Sequence, residues 1–101
     1  MPVTCTQDHR HLILTLSGEL DHHAAKSIMQ QLQAHMDAAL PSRITLDLSG
    51  LTFTDSSGIA VLLRAWRQAQ SLQAAMEVIH VPLQADKVFR AAGLHRIIPF
   101  Q

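Results

Sequence analysis

Apolar and polar positions along the chain alternate first with the period of a strand and then with that of a helix. Leu12, Leu14 and Leu16 occupy every second position of 12–17, so this segment has one apolar and one polar face, as a strand lying on a core requires. Val3 and Cys5 repeat the pattern more weakly over 3–7, and Asp8 to His11 reads as the hairpin connection. After Ser17 and Gly18 the spacing changes to three and four. Ala25, Ile28, Met29, Leu32, Met36, Ala39 and Leu40 then define a helix from about Asp21 to Leu40. Asp21 suits its N-cap, where a carboxylate accepts from an unpaired first-turn amide, and Pro41 stops it while biasing Leu40 toward extended geometry.

Ile44, Leu46 and Leu48 mark a short strand ending near Leu48. A helix from Ser56 to about Gln70 follows, with Ile59, Val61, Leu62, Leu63, Ala65, Trp66 and Ala69 over most of its circumference, which implies heavy burial. Trp66 belongs to that apolar face, whereas Arg64 and Arg67 read as solvated. Met76 to Val81 reads as a strand, Pro82 opens a helix to Ala92, Gly93 breaks it, and a last strand covers roughly Arg96 to Phe100. The order β-β-α-β-α-β-α-β predicts an α/β fold: one domain over 1–101, with a mixed sheet whose parallel strands are joined by crossover helices.

Composition narrows the function. The chain has 101 residues, 48% of them hydrophobic, which is enough for one core without disulfides or metals. Eight Lys and Arg balance eight Asp and Glu, so no basic face selects nucleic-acid phosphates. The longest apolar run, Ile59 to Leu63, falls far short of the ~20 residues of a membrane span, and the start lacks the pattern of an export leader. A single cysteine, Cys5, cannot make an internal disulfide, and a reducing, cytoplasmic setting is expected.

Two segments can carry chemistry. The stretch from Leu51 to Ala60 precedes the buried helix, and loops after strand C-termini are where sites collect in α/β sheets. Asp55, Ser56 and Ser57 suit a helix start, and a purely structural reading makes them caps. A sharper reading notes that a serine hydroxyl there stands where backbone amides and the helix dipole tolerate an anion such as a phosphoryl group. Phosphorylation would add about −1.5 to −2 charges beside Asp55 and near Glu19 and Asp21, repelling a partner fitted to the neutral surface. The second segment, Gly18 to His23, contains His22 and His23, but adjacent histidines point about 100° apart on a helix, so metal binding is not expected. A serine hydrolase is disfavoured too, because Asp55-Ser56-Ser57-Gly58 is not a Gly-x-Ser-x-Gly elbow.

Gly18-Glu-Leu-Asp-His-His23, Ile44-Thr-Leu-Asp-Leu-Ser49, Phe53-Thr-Asp-Ser-Ser-Gly-Ile59 and Val88-Phe-Arg-Ala-Ala-Gly-Leu94, in this order and spacing, resemble the bacterial STAS-type anti-sigma-factor antagonists, the sporulation branch in particular. The resemblance covers nearly the whole chain. It implies that Ser56 accepts phosphate from a serine-kinase anti-sigma factor and that Ser57 caps the helix. It also implies a docking surface made of Glu19, Asp21, His22, Asp55, Ser56, Ser57 and Gly58. The unmodified protein would sequester the anti-sigma factor and release a sigma factor, phosphorylation would end that binding, and a metal-dependent serine phosphatase would restore it. Such a protein is a binding module without cofactor, catalytic residue or metal, expected to be a monomer with weak self-association at an exposed sheet edge. The alternative is a STAS-like small-ligand sensor or scaffold. Two departures stand out. No glycine occurs between Ser71 and Met76, so the second helix should end differently from its relatives, and Ala60 stands where relatives often have glycine.

Overall fold

The structure, a computed structural model, describes residues 2–101. Two antiparallel strands, β1 (Val3–Asp8) and β2 (His11–Leu20), are followed by α1 (His22–Ala39), β3 (Arg43–Thr54), α2 (Ser56–Ser71), β4 (Ala75–Ile79), α3 (Leu83–Ala91) and a single 3₁₀ turn, Leu94–Arg96. The sheet runs β1-β2-β3-β4, with β2, β3 and β4 parallel. Each crossover steps one strand in the same direction, and right-handed connections then place α1 and α2 side by side on one face of the sheet. The alternating apolar positions seen in the sequence point there: Leu12, Leu14, Leu16, Ile44, Leu46, Leu48, Met76 and Val78 are all buried. They meet Ile28, Leu32 and Met36 of α1, Val61, Leu62, Ala65 and Ala69 of α2, and Phe89 of α3.

The mixed α/β architecture is as expected, but four local features differ. The final strand is reduced to one bridge between Val78 and Phe100. Pro99 has no N–H to extend a ladder; only its carbonyl is used, accepting from Val78 N at 2.9 Å. Leu94 and Ile98 are buried four residues apart, on a turn rather than a strand. Leu40 is left-handed (φ 46, ψ 57) instead of extended, because its N–H still closes onto the Met36 carbonyl at 3.1 Å. β4 stops at Ile79, and His80 takes a φ of 55. α2 does end in its own way: Gln73 adopts φ 57, with Ala74 N on the Ala69 carbonyl and Gln73 N on the Gln70 carbonyl. That is a Schellman closure with glutamine in the position glycine usually fills.

The fourth difference shapes the site. β2 and β3 were expected to end near Ser17 and Leu48, yet the ladder continues to Leu20 and Thr54 through two register shifts, Thr15/Ser17 and Gly18/Glu19. Both shifts put the extra residue on β3, so Ser49-Gly50 lies in a bulge that Ser17-Gly18 faces, and neither pair ends its strand. A Cβ on Gly50 would stand 3.0 Å from that of Ser17 and 3.1 Å from the Leu16 carbonyl oxygen, so a side chain there would push the two strands apart by a few tenths of an ångström.

Candidate functional site

β2 and β3 reach the same end of the sheet and turn there into α1 and α2. Asp21 caps α1, its Oδ1 accepting from Ala24 N at 2.9 Å. Asp55 caps α2, its Oδ1 accepting from Ser57 N at 2.8 Å, while its Oδ2 accepts from His22 N at 3.3 Å. One carboxylate thus ties together the starts of both helices. The Ser57 amide, the largest influence, and the His22 amide hold the Asp55 carboxyl below the ordinary aspartate value of 3.8, against a smaller opposing effect of desolvation.

Beneath this corner Thr54 is fully buried, its hydroxyl donating to the Leu20 carbonyl at 2.9 Å with the Asp55 carbonyl at 3.2 Å. Gly58 packs against it, since a Cβ there would lie 2.0 Å from Thr54 Oγ1 and 3.2 Å from Leu20 Cδ2. Gly58 is buried, unlike the other residues assigned to the docking surface, and it acts by letting α2 begin hard against Thr54.

Ser56 is the first residue of α2 and is exposed, and among the described residues its hydroxyl has no hydrogen-bond partner. Capping is the work of Asp21 and Asp55, whose side chains take the first-turn amides; Ser56 is left free of that task, and Ser57 gives the cap its backbone N–H. Glu19 and His22 are exposed and Asp21 and Ser57 half-buried, so the structure brings the predicted residues, Gly58 aside, to one surface. His22 and His23 lie edge to face with ring centroids 6.0 Å apart. No group of three metal-ligating side chains occurs among the described residues.

Two contributors escaped the sequence reading. Beyond Asp47, β3 has no β4 neighbour, and Gln84 of α3 supplies one: its Oε1 accepts from Thr54 N at 3.0 Å and its Nε2 donates to Thr54 O at 2.8 Å. A glutamine at an exposed helix start carries no sequence signal for this contact. Phe53, opposite Glu19 in the strand register, is 42% exposed on the rim of the site. An apolar residue followed by a polar one at a strand end was the available clue.

The sheet with helices on one face, and a serine-bearing helix start held beside the β2–α1 junction, define the class. Residues 3–99 match the family described as Mlab, STAS domain. The chain therefore belongs to the STAS-domain family. Within it, the chain is similar to an anti-sigma F factor antagonist of Paenibacillus polymyxa, 33% identical over 87% of this chain and 75% of the relative. An anti-sigma factor antagonist from Mycobacterium paratuberculosis has the same fold, with a TM-score of 0.85 at 20% identity over 97% of this chain and 82% of the other. So does the Bacillus cell-fate determinant SpoIIAA in its phosphorylated form, with a TM-score of 0.72 at 23% identity over 98% of this chain and 90% of the other. No helix among the described residues is long and apolar enough to cross a membrane.

Proposed function

We propose that the protein is a phosphorylation-controlled antagonist that binds a serine-kinase anti-sigma factor through the Gly18–His23 and Phe53–Ser57 segments and thereby frees a sigma factor in the cytoplasm. It acts by binding and catalyses nothing. Ser56 Oγ takes the γ-phosphoryl group of ATP from the kinase, losing its proton as ADP leaves. A metal-dependent serine phosphatase reverses the modification. The observation that carries this reading is the division of labour at the corner: Asp55 caps α2, so the neighbouring Ser56 hydroxyl is exposed and unengaged at the positive end of the helix. The new charge would stand beside Asp55 and the exposed Glu19, reversing the potential that the partner meets. The anti-sigma F factor antagonists among the relatives and the phosphorylated SpoIIAA fold support the reading.

The test is phosphate transfer from the cognate kinase and ATP, mapped by mass spectrometry. Label is expected on Ser56 and absent from Ser56→Ala; label persisting in that variant refutes the assignment. Ser56→Asp should weaken kinase binding at an unchanged melting temperature, because the side chain it replaces has no internal partner.

A further inference from the structure

Between α1 and α2 runs an open groove of about 400 Å³. Its floor is apolar, formed by Ala25 and Met29 on α1 and by Ala60 and Val61 on α2, and its rims carry Lys26 and Arg64. No carboxylate lines it. Among the described residues neither cation has an ion pair or hydrogen bond, whereas Arg43 and Arg90 are engaged by Glu77 and Asp86. Beyond Gln33, which lines the groove, Gln68 of α2 bridges to α1, its Nε2 donating to Gln33 O at 3.2 Å and to Asp37 Oδ1 at 2.8 Å. The other end opens at Ser57, so the groove is continuous with the proposed docking corner.

The geometry also specifies an occupant. Because Asp55 bonds the first amides of both helices, α1 and α2 begin at one level, and they run in the same direction from parallel strands. Lys26 lies four residues beyond His22 and Arg64 eight beyond Ser56. At ~1.5 Å per residue the two cations are offset by ~6 Å along the groove, the rise between residues four apart on a helix. The lining from Ala25 to Gln33 spans ~12 Å on the same measure, about two helical turns. Alanines at positions 25 and 60 let another helix approach closely, and Met29 adapts its shape to an incoming side chain.

We propose that this groove receives an acidic amphipathic helix of the anti-sigma-factor partner, about two turns long. Carboxylates on the two flanks of that helix, ~6 Å apart along its axis, meet Lys26 and Arg64, and an apolar side chain facing the floor between them seats against Met29 and Val61. The inference rests on the reading under Proposed function and names the chemistry of that partner. It also gives Ala60 a role: a wider side chain there would shut the floor.

The test is calorimetric titration of the unphosphorylated protein with its serine-kinase anti-sigma factor. Lys26→Glu and Arg64→Glu are each expected to weaken binding by roughly tenfold or more, as like charges then face each other across the contact. Ala60→Phe should do the same by filling the floor. Arg67→Glu, on α2 but outside the groove, should stay within about twofold. Hydrogen exchange of the complex should show protection over 25–33 and 57–64. If both charge reversals bind within twofold of the wild type while Ser56→Asp abolishes binding, the groove inference falls and the switch stands. If the wild type fails to bind any serine-kinase anti-sigma factor, the switch reading fails and the occupant with it. Dodecanoate or phosphatidylglycerol vesicles shifting groove resonances, with kinase binding indifferent to the reversals, would assign the groove to an anionic lipid and overturn the proposal.

Discussion

Gly58→Ala is the sharpest test of how the site is held. The added methyl would lie 2.0 Å from Thr54 Oγ1, and Thr54 is locked because its hydroxyl donates to the Leu20 carbonyl at 2.9 Å. Turning Thr54 about its stiff χ1 relieves the overlap only by abandoning that buried bond, which costs about 1–3 kcal/mol. Residual crowding against Leu20 adds about 1–3 kcal/mol. Replacing glycine by alanine in a helix returns about 0.5–1 kcal/mol. The net expectation is a loss of about 1–5.5 kcal/mol, and each kcal/mol lowers the melting temperature by about 4–8 °C in a domain of this size. Urea unfolding followed by Trp66 fluorescence and by circular dichroism measures it. Thr54→Ala should cost about 1 kcal/mol alone but little or nothing in the Gly58→Ala background, since the collision and the bond share one oxygen. A Gly58→Ala protein as stable as the wild type, or a double variant with fully additive losses, would refute the packing account.

Gln73→Gly should stabilise the protein by about 0.5–1 kcal/mol, because the left-handed conformation that closes α2 is strained for glutamine and free for glycine, less the entropy glycine adds to the unfolded chain; thermal unfolding reads it. The Arg43 side chain, then Thr45, hold Glu77 below its ordinary 4.5. Its folded value is the lower one, so its contribution is complete above 4.5 and is lost as pH falls through the folded value. Glu77→Gln should therefore lose less stability than the wild type between about pH 5 and 3, measured by urea titration at each pH. Equal slopes would show that the Arg43 contact does not persist in solution.

The sheet and its helices were legible because Leu12, Leu14 and Leu16 and the three-and-four spacing of α1 each bury one face, and burial is what periodicity encodes. The helix starts at the corner were legible at Asp21 and Asp55, because capping is local chemistry. What escaped reading was decided by contacts distant in sequence. Ser17-Gly18 and Ser49-Gly50 look like strand ends, and only the pairing shows that both strands continue past bulges in β3. Gly58 reads as part of a motif, yet its role is set by Thr54 and Leu20. Gln84 has no local reason to bond Thr54, which it does because β4 is short. At 96–100, apolar residues suggested a strand that Pro99 cuts to one bridge.

The double tether of Asp55 has a kinetic consequence. A corner in which both helices hang from one carboxylate has nothing to melt or swing when charge is added to the neighbouring hydroxyl. On the proposed reading, the free protein would then keep no structural memory of its modification. How fast a signal fades would be governed by the enzyme that strips the phosphate, with no slow refolding of the messenger behind it.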